Sequence, residues 1–258
     1  MTKGFVIDVL KCTGCYACQI ACKDEHVGNE WAPYAKEQPN TGQFWMKVSE
    51  KERGRRPHVK VSYTPMIGAQ TEAIREYAPE VLMEREDGVI VIDPEKAQGR
   101  KDIAEKFEGV YWNAELNIPQ GCTCCAHLLD GDGPLKQPRC VDNCPVGAIE
   151  FGDLEELDTE GCEKLEEKSH VLYRNLPKKF IAGTVYDPEE EEIIEGATVT
   201  ATSDAGTFTA TTDNFGDFWL WQLPDAEWKL SVEKDGKVKT LSVSTKEKDQ
   251  GLGDVALA

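Results

Sequence analysis

The cysteines of this chain fall into two groups, and the spacing within each is typical of iron–sulfur ligation. The first group runs from Cys12 to Cys22 and has the form C-x2-C-x2-C-x3-C. In this arrangement three thiolates on one tight loop reach three irons of a cubane, and the fourth thiolate serves a second cluster. Gly14 allows the loop to turn, so that amide N–H groups point at the sulfurs. We therefore expect a 4Fe-4S site here, with Cys22 beginning a helix and pointing away from it.

The second group supplies the other half of the pattern. It contains Cys122, Cys124 and Cys125, followed by Cys140 and by a Cys-Pro pair at Cys144, which is the usual close of a bacterial ferredoxin motif. Exchange of the fourth ligands between the two groups gives two complete sets of four. Set 1 is predicted to be Cys12, Cys15, Cys18 and Cys144, and set 2 is predicted to be Cys22, Cys122, Cys125 and Cys140.

Two cysteines remain outside these sets. Cys124 lies between two predicted ligands and could replace Cys122 or Cys125, although a C-x2-C spacing matches the partner motif better. Cys162 stands in an acidic stretch and is interpreted as a spare thiol. No histidine belongs to a metal-spaced pair, so we predict structural roles for all four. They are His26, His58, His127 and His170.

Four basic side chains flank the predicted ligands. They are Lys11, Lys23, Lys136 and Arg139. A cubane held by four thiolates carries negative charge, and nearby cations and N–H dipoles stabilise it and adjust its potential. Flanking cations in a surface loop are just as often merely solvated, and the sequence favours neither reading.

Composition excludes several classes of function. The 258 residues carry 29 basic and 47 acidic side chains, a net charge of −18, which argues against nucleic acid and anionic membrane surfaces as partners. There is no apolar stretch long enough to span a membrane.

The distribution of the cysteines argues against disulfides. Disulfides would be spread through a small secreted domain, whereas these cysteines lie in two groups. Zinc sites are the weaker metal alternative, because four tetrahedral ligands do not need the third interval. We expect a cytoplasmic protein.

The chain changes character near Leu176. All ten cysteines, all histidines and every arginine precede this point, and short alternating runs separated by turn residues follow it. We predict an iron–sulfur domain at residues 1–176 and a β-sandwich domain at residues 177–258, with Glu189–Glu192 as a solvated hairpin tip. The predicted strands are Phe180–Tyr186, Ala197–Thr202, Thr207–Thr212, Phe218–Leu223, Trp228–Glu233 and Lys237–Ser244.

The first domain is predicted to mix short strands, helices and many loops. Gly88–Asp93 is a β-run that ends in a turn at Pro94, while Ile74–Glu86 and Cys162–Ser169 are each predicted to be helical. A long insertion, at about residues 27–118, separates the two cysteine groups. The fold class is therefore α+β: a bacterial-ferredoxin-like domain with two 4Fe-4S clusters, followed by a small β-sandwich.

The tail resembles the transthyretin-like or Cna-B-like domains of carboxypeptidase regulatory regions and surface adhesins. The resemblance depends on Ile181–Val185, Glu195–Val199 and Thr212–Phe218. With no histidine or cysteine after residue 170, the tail has no catalytic constellation. A docking or stabilising module is therefore expected.

Most of residues 5–180 resemble the iron–sulfur subunits of the dimethyl sulfoxide reductase (molybdopterin oxidoreductase) superfamily. Within it, the resemblance is nearest to small subunits of pyrogallol–phloroglucinol transhydroxylases and related phenol hydroxylases, on Asp24–His26, Asn29–Trp31, Ala126–Asp130 and the appended β-domain. The segments that carry the wider resemblance are Ile7–Cys12 with the cysteine loop, Asp87–Lys96, Cys122–Ala126, Arg139–Pro145 and Phe151–Leu154.

This resemblance implies a non-catalytic electron-transfer subunit. Its partner would be a large molybdopterin-dependent subunit that hydroxylates or transhydroxylates a phenolic compound, in a heterodimer that could assemble further. Family members carry additional inner clusters, but no cysteine lies between Cys22 and Cys122. Tyr63–Gly68 and Asp93–Lys101 stand where inner ligands would be expected, so we predict two clusters. The alternative is a free-standing ferredoxin-type electron carrier, although the long insertion is unusual for such a compact class.

Overall fold

In a computed structural model the chain is described at residues 2–68 and 71–258. It divides into two compact units. The first unit comprises the residues before Lys51 together with Tyr63–Leu176, and the second comprises Lys51–Ser62 together with Pro177–Ala258. None of the described helices is long and apolar enough to cross a membrane.

The elements up to residue 176 are short, and loops connect them. The strands are β1 (Lys3–Asp8), β2 (Met46–Arg55), β3 (His58–Ile67), β4 (Leu82–Glu84), β5 (Ile90–Ile92), β6 (Tyr111–Asn113), β7 (Ile118–Gln120), β8 (Ile149–Asp153) and β9 (Val171–Arg174). The helices are α1 (Ala17–His26), α2 (Glu72–Tyr77), α3 (Lys101–Lys106), α4 (Ala126–Asp130) and α5 (Arg139–Asp142), with a 3₁₀ turn at Pro79–Val81.

A three-stranded sheet leads directly into the first cysteine loop. Its central strand β1 pairs antiparallel with β8 and parallel with β9. Phe5 and Ile7 on β1 are completely buried, and burial of such a side chain stabilises the fold by about 1.5–3 kcal/mol. They belong to the same core as the buried Cys18, Cys22 and Cys140. The sheet and the cysteine groups therefore form one packed body.

The middle of the first unit has an apolar core of its own. Ile74, Ile90 and Ile103 are at most 1% exposed, and the core also contains residues of the 3₁₀ turn and of β4. The predicted strand at Gly88–Asp93 is confirmed as β5, and the Asp93 carboxylate accepts backbone N–H bonds in the turn that follows. This segment, where inner cluster ligands would be expected, is organised by aliphatic side chains.

One helix prediction is confirmed only over its first four residues, and another is wrong. The helix predicted at Ile74–Glu86 ends at Tyr77, because the residue before Pro79 is disfavoured in the helical conformation, and β4 follows. The segment Cys162–Ser169 forms no helix, and Glu163 instead exchanges two backbone hydrogen bonds with Tyr173. Its only large apolar side chain, Leu165, is 52% exposed, so a helix here would have no apolar face to bury.

The second unit is a β-sandwich. In one sheet β10 pairs antiparallel with β11 and β14 and parallel with β17, and in the other the strand order is β13-β12-β15-β16. Its strands are β10 (Lys179–Asp187), β11 (Glu192–Ile193), β12 (Thr198–Ser203), β13 (Gly206–Thr211), β14 (Asp217–Leu223), β15 (Glu227–Lys234), β16 (Lys237–Ser244) and β17 (Gln250–Ala256).

The strand predictions for the tail are confirmed, and so is the exposed hairpin tip at Glu189–Glu192, which the β10–β11 pair flanks. Alternate residues of the strands, including Val199, Leu220 and Trp228, are at most 2% exposed and fill one core. The last strand, β17, was not predicted, because glycines interrupt its alternating pattern.

The tip of the β2–β3 hairpin belongs to this second unit, although it lies within the predicted insertion of the first. Arg53 at the tip forms a two-point ion pair with Asp249, with Nε–Oδ2 and Nη2–Oδ1 distances of 2.9 and 2.6 Å. Both side chains are about nine-tenths buried. Asp249 also accepts a bond from the backbone N–H of Phe180 at 3.1 Å. A charged pair with this degree of burial depends strongly on both partners.

We expect Asp249→Ala to release the hairpin tip. The substitution leaves the Arg53 guanidinium buried without a counter-ion, which should destabilise this unit by about 3–5 kcal/mol. Hydrogen exchange of the amides of Lys51–Ser62 should become faster, as measured by mass spectrometry. The control is Glu227→Ala, which removes an exposed ion pair with Lys246 and should leave this exchange unchanged. Equal exchange in the two variants would show that the buried pair does not hold the tip.

Candidate iron–sulfur centre

The loop that carries set 1 depends on two left-handed residues. Gly14 has a φ of +69°, and a Cβ built at this position would lie 2.6 Å from the ring of Tyr63. Tyr16 has a φ of +60° and precedes the first residue of α1. Glycine is therefore required at position 14 both by its conformation and by the close approach of an aromatic ring.

The structure brings the four cysteines of set 1 together. Cys12, Cys15, Cys18 and Cys144 line one cavity, whose walls also include Pro65, Pro145 and Val146. Burial raises the pKa of the Cys18 thiol to about 11, and the charges of the other three cysteines of the set raise it as well. Four sulfurs that repel one another in this way need a shared cation to become thiolates together.

The four cysteines of set 2 also lie together, and deeper. Cys22, Cys125 and Cys140 are at most 7% exposed. Burial raises the pKa of the Cys140 thiol well above its usual range, and repulsion by the sulfurs of Cys22, Cys125 and Cys122 adds to this shift. The spacing predicts that Cys22 begins a helix, and this prediction is wrong. The helix α1 already begins at Ala17, so Cys22 lies in its interior.

Backbone amides point at six of the eight sulfurs. The N–H of Ala148 donates to Cys144 Sγ at 3.2 Å, and the N–H of Cys124 donates to Cys122 Sγ at 3.4 Å. The other four donor–acceptor pairs are Gly14 to Cys12, Gln19 to Cys18, Met46 to Cys22 and Arg139 to Cys125. Such N–H···S bonds stabilise thiolate charge without adding a cation.

These features fit two cubane clusters. A thiolate-bound cubane is an anion that needs desolvated sulfur ligands and N–H donors, and both are present around each set. Among the described residues no three Cys, His, Asp or Glu side chains lie close enough around one point to hold a single metal ion. A cubane is wider than a single ion, since each thiolate bonds a different iron. Ligation by each of the eight cysteines remains a prediction.

Cys124 occupies a position suited to support rather than ligation. It is fully buried with a φ of +53°, and its thiol and its amide both hydrogen-bond to the sulfur of Cys122. The thiol bond from Cys124 is the largest contribution that lowers the pKa of Cys122. Cys162, by contrast, is hydrogen-bonded to Arg174. The arrangement favours Cys122 and Cys125 over Cys124 as ligands.

One of the four flanking cations lies in the interior. Lys23 is 9% exposed, and its Nζ donates to the backbone carbonyl oxygens of Pro39 and of Gln43, the latter at 3.0 Å. Its charge lowers the pKa of the Cys22 thiol, against the larger effect of burial.

The other three cations are engaged elsewhere or exposed. Lys11 is exposed, Lys136 donates to the carbonyl of Gly131, and Arg139 pairs with Glu25 and Asp142. Lys23 is therefore the flanking cation placed to offset charge at set 2.

The two sets are neighbours. The charge of Cys18, in set 1, reaches both Cys22 and Cys140 of set 2. The backbone donor Met46 approaches set 2 from β2, far from either cysteine group in sequence. No sequence signal could have identified this donor, because any residue except proline presents the same N–H.

Comparison with known proteins gives two matched domains. Residues 70–154 match the 4Fe-4S dicluster domain, and residues 181–258 match the carboxypeptidase regulatory-like domain. The chain is 33% identical to the pyrogallol hydroxytransferase small subunit of Pelobacter acidigallici, over 98% of each chain. It is 32% identical to a probable anaerobic dimethyl sulfoxide reductase chain of Escherichia coli K12 over 60% of this chain and 75% of that one. It is 27% identical to the formate dehydrogenase subunit beta of Megalodesulfovibrio gigas over 75% of this chain and 93% of that one.

Substitution of neighbouring cysteines should separate ligand from support. We expect Cys125→Ala to lose one cluster, which is about four irons per chain, because set 2 then has three ligands. Cys124→Ala should retain about eight irons, with a changed reduction potential for one cluster. Iron and acid-labile sulfide analysis of anaerobically purified protein measures both. Loss of iron in Cys124→Ala, with retention in Cys125→Ala, would contradict the assignment.

Proposed function

This chain belongs to the family of iron–sulfur subunits that includes the pyrogallol hydroxytransferase small subunit, and from this premise we propose that it is the electron-transfer subunit of a molybdopterin-dependent enzyme. The resemblance predicted for residues 5–180 and that predicted for the tail are both confirmed by the matched proteins and domains. The observation that carries the proposal is the gathering of eight cysteines into two amide-lined sets of four, of which set 2 is the more deeply buried.

When bound, 4Fe-4S clusters supply reversible transfer of single electrons. The residues of this chain would hold them, exclude water from them and set their charge balance. Set 2 is enclosed, with Cys22, Cys125 and Cys140 almost completely buried. Set 1 is nearer the surface, and the side chain of Cys15 is exposed. This difference supports exchange of electrons with a partner through set 1.

The surface beside set 1 is suited to contact with the catalytic subunit. Leu10 precedes Cys12 in the loop and is 77% exposed, and Val146, which lines the set 1 cavity, is 41% exposed. An exposed apolar side chain beside a redox centre excludes water when a partner covers it. We place the docking face of the molybdopterin-containing subunit here.

The substrate chemistry belongs to the partner in this proposal. The similarity to a pyrogallol hydroxytransferase small subunit supports a phenolic aromatic compound as the substrate class, hydroxylated or transhydroxylated on the large subunit. A heterodimer is the proposed assembly. A cytoplasmic location is also part of the proposal.

The number of clusters is proposed to be two. The segment between the cysteine groups contains no cysteine, and the apolar core around Ile74, Ile90 and Ile103 occupies its interior. An aliphatic core offers no ligand to iron. This composition supports a shorter electron path than one with additional inner clusters.

Anaerobic purification through a tag on this chain tests the proposal. We expect a large molybdopterin-binding protein to copurify and about eight irons and eight labile sulfides to be found per small subunit. Mass spectrometry identifies the partner, and metal analysis of the large subunit identifies molybdenum or tungsten. A brown chain isolated without a partner would favour the free-standing ferredoxin alternative. A colourless chain that holds zinc would contradict both.

A further inference from the structure

An acidic residue that follows the first cysteine group, Glu25, is bound to elements of the second cysteine group. Glu25 on α1 places its two carboxylate oxygens on two different elements: Oε1 lies 2.9 Å from His127 Nε2, and Oε2 lies 3.0 Å from Arg139 Nε. His127 is on α4, and Arg139 is the first residue of α5. One carboxylate therefore joins three helices.

Each of these helices carries or adjoins a ligand of set 2. Cys22 precedes Glu25 by three residues on α1, so the two side chains share a helix face. Cys125 immediately precedes α4, and Cys140 is the second residue of α5. We propose that Glu25 is the positioning residue of the set 2 cluster and that its negative charge lowers the reduction potential of that cluster. This inference rests on the proposed function, because it requires the cluster to be present.

The carboxylate is sheltered, unlike an ordinary surface ion pair. The Glu25 side chain is 13% exposed, and that of His127 is 8% exposed. The indole of Trp31 stacks on the His127 ring at a centroid distance of 4.4 Å and an interplanar angle of 3°. The same indole donates its N–H to the backbone carbonyl of Glu25 at 2.8 Å. Screening by solvent is reduced in such a site, so the charge acts more strongly on its surroundings.

The Glu25 carboxylate lies close to the predicted ligands. It follows Cys22 by one turn on α1 and pairs with Arg139, whose neighbour in α5 is Cys140. A negative charge at this position opposes the addition of an electron to a cluster held by those ligands. Removal of the charge should therefore favour the reduced cluster, while the geometric effect of its loss should weaken cluster retention.

Redox titration of the anaerobically purified complex, followed by electron paramagnetic resonance, separates these effects. Glu25→Gln keeps a side-chain oxygen but removes the charge. We expect the potential of the set 2 cluster to rise by the equivalent of about a tenfold shift in its reduction equilibrium, or about 59 mV for one electron. The potential of the set 1 cluster should be unchanged. Cys125→Ala, which lacks a set 2 ligand, identifies the signal of each cluster.

The matched control is Asp24→Asn, which removes one negative charge from an exposed neighbouring position on the same helix. It should leave both potentials unchanged. A second readout uses Glu25→Ala, from which an iron chelator should remove iron several-fold faster than from the control. Potentials and chelation rates equal to those of Asp24→Asn would overturn the inference, as would an equal shift at both clusters. A wild-type complex without clusters would overturn the proposed function as well, so the two failures are distinguishable.

Discussion

The burial of negative charge is the constraint on which the first unit depends. Two cubanes with eight thiolates would place several negative charges inside a chain whose own net charge is −18. Cations inside the protein contribute little to the balance, since Lys23 is the flanking cation that reaches a buried sulfur. Backbone amides contribute more broadly, and they can do so only where the chain turns back on its own cysteines. Gly14, Cys124 and Cys125 have left-handed backbone conformations, which let the chain turn in this way.

The helices beside the two cysteine sets are short. The helices α4 and α5 have five and four residues, which is far below the length at which an isolated helix is stable. Their positions must therefore come from outside the helices. The packed sheet behind them, the proposed cluster and the carboxylate of Glu25 provide that support together. Ligation and folding are therefore coupled in this unit, because the cysteines proposed to bind iron are also part of its core.

Cysteine spacing predicted the composition of both sets, and the structure gathers the same residues, because ligation patterns are local and repeat at fixed intervals. Alternation likewise predicted six tail strands, whereas β17 was missed because Gly251 and Gly253 interrupt the pattern. The apolar spacing of Ile74–Glu86 predicts one helix, but Pro79 ends that helix at Tyr77. Contacts distant in sequence could not have been predicted from one chain. The ion pair between Arg53 and Asp249 is such a contact, and so is the hydrogen bond from the backbone amide of Met46 to Cys22 in set 2.

Iron in this chain is proposed to be held by the two crossed sets of cysteines and by no other residues. Anomalous diffraction at the iron absorption edge, from crystals of the complex, locates the iron directly. We expect two four-iron peaks in the small subunit, one among Cys12, Cys15, Cys18 and Cys144 and the other among Cys22, Cys122, Cys125 and Cys140. A third peak in this chain, or a peak whose fourth ligand is not the crossed cysteine, would contradict this proposal.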